Sequence, residues 1–179
     1  MKLKIVFLDF DGVLNSHAFM LAKPSGVVGL DPVAVKRVNR LLQATGAEVV
    51  VSSTWRHGRS LAQLRDVLAE RGFVGNVRGT TPQQPFTIGS SGIIETAKVR
   101  GQEIQAWLDA APNYGLDIES FVIIDDDSDM AHLMDRLVKT SSVNGLVDTD
   151  VDLAIEMLRK PLPVIILPEP GTFDVFFEK

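Results

Sequence analysis

A chain of 179 residues with 45% hydrophobic content has the length of one ordinary domain and enough apolar side chains for a real core. It holds no cysteine, which excludes disulfides, zinc–thiolate and iron–sulfur sites and a cysteine nucleophile, and gives no reason to expect an oxidising compartment. With 18 Lys and Arg against 23 Asp and Glu, the formal charge of −5 argues against a broad basic nucleic-acid face, while a few arginines on one rim still suffice for a local phosphate site.

The first apolar run, Ile5-Val6-Phe7-Leu8, stops at a carboxylate and is shorter than the roughly 7–15 residues of a signal peptide. No stretch approaches the ~20 apolar residues of a membrane span, so the expectation is a cytoplasmic protein with no membrane and no obligate protein partner. Residues 3–8 read as a buried strand ending in Asp9. A helix follows over 31–45, with Asp31 as N-cap, Pro32 in the first turn, Val35, Val38, Leu41 and Leu42 on one face, and Gly46 closing it. Residues 48–51 form a second buried strand ending in Ser52-Ser53, and 60–71 a helix that stops at Gly72.

From 73 to 99 the periodicity fails among Gly, Pro, Thr and Ser, which predicts a long excursion with a short strand or two. Periodicity returns in a helix over 102–110 with Ile104, Trp107 and Leu108 inward, and a third strand over 121–124 runs into Asp125-Asp126-Asp127-Ser128-Asp129. A fourth strand over 137–140 and a helix over 150–159, with Leu153, Met157 and Leu158 apolar, complete the pattern. Alternating strands and amphipathic helices predict an α/β fold with a mostly parallel sheet and helices on both faces. The predicted domain spans 1–160. Residues 161–179 are read as an extension packed on it, with a strand-like stretch at 164–167.

Ligands of open α/β sheets bind outside the carboxyl ends of the strands. Three predicted strands end there in Asp9-Phe10-Asp11-Gly12, Ser52-Ser53-Thr54 and Asp125-Asp126. Carboxylates converging on one edge repel one another, and a divalent cation with oxygen ligands removes that penalty. Mg²⁺ suits the site, because it takes one or two carboxylates and keeps room for waters and a substrate phosphate. A carboxylate can also act as nucleophile and form an acyl phosphate, with a second carboxyl serving as acid and then base. Asp-x-Asp-Gly by itself is more readily a turn sequence.

In order along residues 3–159, an apolar strand with DxDGV, a second with SST, a basic residue opening a helix, and a third strand with DD resemble the four motifs of the haloacid dehalogenase (HAD) superfamily. Longer matches, Val51-Ser52-Ser53-Thr54-Trp55-Arg56, Arg100-Gly101-Gln102-Glu103-Ile104 and Ile123-Ile124-Asp125-Asp126-Asp127-Ser128-Asp129, resemble the HAD domains of Swiss Army knife RNA-repair proteins. The doubled Asp125-Asp126 is also similar to the phosphatase half of polynucleotide kinase–phosphatases. The resemblance implies a Rossmann-like HAD fold and Mg²⁺-dependent phosphoryl transfer through a phospho-aspartate.

By position, the resemblance makes Asp9 the nucleophile and a metal ligand. Asp11 becomes the general acid/base and offers a backbone carbonyl to the metal. Ser52 then bonds the transferring phosphoryl group, with Ser53 as a second phosphate-binding candidate or a helix cap. Arg100 or Lys98 is the basic residue that opens the helix, Arg100 being favoured. Asp126, with Asp125 beside it, completes the metal set, and Asp129 braces the loop or a metal-bound water. Arg56 is the candidate contact for a distal substrate phosphate, and Trp55 either stacks on a base or packs against the sheet. The gaps 13–46 and 54–97 are too small for a full cap domain, which leaves an open site suited to a bulky phosphorylated end.

These readings converge on a phosphomonoester hydrolase, with a polynucleotide 3′ or 5′ phosphate end as one expected substrate. A small-metabolite or nucleotide phosphatase is the rival within the enzyme class. A receiver-like phospho-accepting signalling module is the rival outside it, disfavoured because Asp-x-Asp-Gly directly follows the first strand.

Overall fold

The computed structural model describes residues 2–23, 29–83, 87–88, 94–95 and 100–162. Five strands, β1 (Lys2–Leu8), β2 (Glu48–Val51), β3 (Val77–Thr80), β6 (Asp117–Asp125) and β7 (Leu137–Lys139), form one parallel sheet in the order β3-β2-β1-β6-β7. Strands β4 (Thr87–Ile88) and β5 (Ile94–Glu95) pair antiparallel in a separate short ribbon. Among the described residues five α-helices accompany them: α1 (His17–Leu21), α2 (Pro32–Thr45), α3 (Leu61–Ala69), α4 (Arg100–Ala110) and α5 (Asp148–Arg159). Among the described residues no helix is long and apolar enough to cross a membrane.

Successive side chains of a strand point to opposite faces, and both faces of this sheet are covered, so its central stretches, Ile5–Leu8, Val49–Val51 and Phe121–Ile124, are apolar on both sides. Val6, Leu8, Val49, Val51, Val122 and Ile124 lie on one side, under α2, α3 and α5 through Val35, Val38, Leu64, Leu68, Ala154 and Leu158. Ile5, Phe7, Val50, Phe121 and Ile123 lie on the other, under Ile104 of α4 and Leu133 of the 3₁₀ turn Ala131–Arg136. Trp107 packs there too, its ring edge-on to Phe7 at 5.4 Å. This is the α/β architecture with helices on both faces that the alternating pattern implies.

Local signals set several boundaries as read. Asp31 caps α2 by accepting from the Val33 N–H at 2.8 Å, and Gly46 ends that helix in the left-handed conformation. Ser60 and Gln63 form a reciprocal capping box at the start of α3. Other boundaries differ. β6 begins at Asp117, four residues before the expected strand, and α5 begins at Asp148. In α5 Val151 is buried, whereas Leu153 is 48% exposed. Residues 77–80 of the irregular stretch extend the sheet by one parallel edge strand beside β2. Among the described residues, the gap before α4 holds that strand and the β4–β5 ribbon and no cap domain. Lys98 and the predicted strand at 164–167 lie outside the described residues.

The start of α4 is fixed by a close backbone approach. The helix begins at Arg100 rather than at residue 102, and its first turn lies directly on the loop after β6. Gly101 N–H donates to the Asp129 carbonyl at 3.1 Å, and a Cβ on Gly101 would meet the Met130 carbonyl oxygen at 2.3 Å. In an ordinary helix Gly→Ala stabilises by up to about 1 kcal/mol. Here the sign reverses: Gly101→Ala is expected to cost about 1–3 kcal/mol, as overpacking against fixed backbone does, measured as a lower urea midpoint.

Candidate active site

The carboxyl ends of β1, β2 and β6 lie side by side, because the residues after them continue the ladder. Asp9 N–H donates to the Ile124 carbonyl and Ser52 N–H to the Leu8 carbonyl, both at 3.0 Å. Asp9 is 4% exposed, and Ser52 and Asp125 are fully buried. Asp126 follows at the rim, half-buried. Gly12 is what lets the loop after β1 pass so close. Its φ is +68°, and a Cβ there would stand 2.2 Å from an Asp126 carboxylate oxygen. Thr140, after β7, holds that loop by donating its hydroxyl to the Gly12 carbonyl at 3.0 Å.

One carboxylate oxygen from each of Asp9, Asp125 and Asp126 lies within 4.8 Å of the others. Arg100 reaches into the group, its Nη1 3.3 Å from both Asp9 Oδ1 and Asp125 Oδ2, and it also donates to the Ser52 carbonyl. One guanidinium does not balance three carboxylates. Burial, and then the charge of Asp9, push the Asp125 carboxyl up to about 7 against the pull of Arg100. The same two causes raise Asp126. Burial alone would lower the Arg100 pKa, but the charges of Asp9 and Asp125 outweigh it and hold the guanidinium above its ordinary value.

An oxygen-only donor set with two buried members, a third at the rim and this charge imbalance fits a hard divalent cation. The buried Ser52 hydroxyl has no hydrogen-bond partner among the described residues, so a ligand oxygen arriving at this edge would find a free donor. Donors at Ser52 and Arg100 thus stand beside three carboxylates that could hold a cation.

Asp11 stands outside the carboxylate cluster. It is exposed, and its side chain is engaged by Trp55 and Asn15 rather than by the three acids. Ser53 is fully buried and accepts from the Trp55 N–H at 3.3 Å, which makes it the cap of the 3₁₀ turn Thr54–Arg56. Arg56 corrects the expectation of a substrate contact. It is 5% exposed, its Nη1 donates to the Ser52 and Ser53 carbonyls at 2.9 and 2.7 Å, and its Nη2 pairs with Glu103 of α4. The guanidinium secures the serine loop from beneath instead of facing a ligand. Asp129 lies under the start of α4, with Oδ2 3.4 Å from the Arg100 N–H, and Asp127 is exposed.

The Asn15 and Glu103 contacts escape sequence reading. Asn15 sits in a turn with no periodicity, and Glu103 is a charged residue on the inward face of a helix, where its partner 47 positions away decides its role.

Compared with known proteins, residues 5–151 match the family model described as the HAD domain in Swiss Army Knife RNA repair proteins. No curated protein matches the chain.

Removing one member of a buried ion pair strands the other charge, so Arg56→Met or Glu103→Leu alone is expected to cost about 3–5 kcal/mol in chemical denaturation, and the double variant to recover most of it. A divalent cation that relieves the carboxylate repulsion should raise Tm. That shift should shrink or vanish in Asp126→Asn, with differential scanning fluorimetry as the readout.

Proposed function

The chain belongs to the family of HAD domains found in Swiss Army Knife RNA repair proteins, and from that footing we propose that it is a Mg²⁺-dependent phosphomonoester hydrolase working through an aspartyl phosphate on Asp9. The family carries phosphohydrolase-type chemistry. The observation that supports the finer reading is the convergence of Asp9, Asp125, Asp126, Arg100 and a Ser52 hydroxyl unpartnered among the described residues at the carboxyl edge of the sheet.

In the proposed sequence, an Asp9 carboxylate oxygen attacks phosphorus in line with the ester oxygen. The new bond joins Asp9 to phosphorus as the phosphorus–ester oxygen bond breaks, and Asp11 hands a proton to the leaving oxygen. Ser52 donates its hydroxyl to a phosphoryl oxygen, and Arg100, already 3.3 Å from Asp9, faces the charge spread over the transferring group. Water then attacks the acyl phosphate while Asp11 takes a proton back, which frees Asp9 and releases inorganic phosphate. Mg²⁺ at Asp9, Asp125 and Asp126 would supply charge neutralisation for the phosphoryl oxygens.

For substrate, we propose a phosphate end of a polynucleotide. Two observations support it: the matched family is named for RNA repair, and no cap is found among the described residues to enclose a small molecule. The formal charge of −5 favours the second reading, a small phosphomonoester.

Phosphate release is measured for wild type and Asp9→Asn, with and without Mg²⁺, on 3′- and 5′-phosphorylated oligonucleotides, mononucleotides and an aryl phosphate. Mg²⁺-dependent release that falls to background in Asp9→Asn is the expected result, with the oligonucleotides turned over fastest. A better mononucleotide gives the small-molecule reading. A stable acyl phosphate with no release gives a phospho-accepting module instead and removes the hydrolase.

A further inference from the structure

The acid proposed for the leaving group is not left to rotate freely. The Trp55 indole N–H lies 3.0 Å from Asp11 Oδ1 and 3.1 Å from Oδ2, and the Asn15 side-chain amide donates to Oδ1 at 2.6 Å. An exposed aspartate would ordinarily be satisfied by water, and here two side chains from different elements converge on it. Neither can drift easily. The indole stands edge-on to the fully buried Phe10 ring at 5.6 Å, and the Arg59 guanidinium lies 5.1 Å from the indole centroid while donating to the Trp55 carbonyl at 3.1 Å. The turn that carries Trp55 is fixed by the Ser53 cap and the buried Arg56–Glu103 pair. Asn15 is nearly buried, and its backbone N–H donates to the Phe10 carbonyl at 3.1 Å.

We infer that Trp55, with Asn15, is a positioning residue for Asp11 and sets how efficiently that carboxyl delivers its proton to the leaving oxygen. The inference rests on the hydrolase reading of the site. Both partners offer only N–H donors to Asp11, and an indole N–H cannot accept a proton in return. Oδ1 receives two donors, whereas Oδ2 receives one shared donor and has its remaining side open. The proton given up therefore leaves from Oδ2, as the ester bond to phosphorus breaks and the bond from Asp9 forms. Holding that oxygen in place restricts a side chain whose rotation would otherwise dilute the productive geometry.

A role of this kind has a signature that simple structural support lacks. A leaving alkoxide needs its proton, and a nitrophenolate does not. The constant kcat/KM covers the steps up to the phospho-enzyme, so later attack by water does not enter it. The test compares kcat/KM on an alkyl phosphate and on p-nitrophenyl phosphate. Asp11→Asn serves as reference, and its alkyl-to-aryl ratio should fall by about 100-fold or more, the usual scale of general acid catalysis. Trp55→Phe keeps the aromatic ring against Phe10 and deletes the N–H, and its ratio should fall by about 10-fold, part of that same scale. Asn15→Ala should lower the ratio in the same direction, and it carries the test if Trp55→Phe melts too low to assay. An unchanged ratio, a raised one, or an equal loss on both substrates overturns the inference while the hydrolase reading stands. A wild type that releases no phosphate from either ester overturns both.

Discussion

The constraint on which the rest of this molecule turns is electrostatic. A parallel sheet brings the ends of β1 and β6 to the same edge, and this chain puts Asp9 and Asp125 there with most of their water removed and Asp126 beside them at the rim. Such an arrangement is costly to build, because burial and mutual repulsion both favour the protonated acids. Arg100 offsets part of that cost from 3.3 Å, and the remainder is the reason a cation would bind. The sheet supplies the stability that tolerates the strain. Both of its faces are covered by apolar helices, and the core residues beneath the acids are fully buried.

α4 connects the parts. Within its first turn Arg100 faces the acids, Gly101 lies against the loop after β6, and Glu103 pairs with Arg56 under the serine loop. Each contact fixes the same helix end from a different side. The serine loop is tied to α4 twice: Arg100 donates to the Ser52 carbonyl, and Glu103 pairs with Arg56, which donates to that same carbonyl from within the loop. Ser52, Arg100 and Asp125 are thus set relative to one another by one short stretch of helix. The buried Arg56–Glu103 pair contributes position, and pairs of this kind are weak evidence for stability in their own right.

Where contacts are local, the sequence is explicit. The Asp31 cap, the Gly46 stop and the Ser60 box each depend on residues within a turn of one another. Asp9 and the Asp125-Asp126 pair are legible as well, since strand ends carry the chemistry in this class of sheet. Legibility ends where a partner lies far along the chain. Arg56 follows the serine motif and reads as a rim cation, and Glu103, 47 residues later, turns it inward. β3 has the weakest pattern of the five strands, with one buried residue, and it joins the sheet because the β2 edge is there to pair with. Of the two basic candidates, Arg100 faces the acids and Lys98 lies outside the described residues.

The two acids of the first motif show why position along a loop matters as much as residue type. Asp9 and Asp11 are two residues apart, yet one is buried against a guanidinium and two other carboxylates, while the other is exposed and meets only neutral N–H groups. Gly12 makes the division possible, because its positive φ and missing side chain let the loop fold over Asp126 immediately after Asp11. A nucleophile benefits from fixed cationic surroundings that hold it charged, and a proton donor benefits from exposure to the leaving group and from neighbours that add no charge of their own. The same two side chains on a flat strand would share one environment. The turn separates them, and the proposed reaction asks a different step of each of these two identical carboxyl groups.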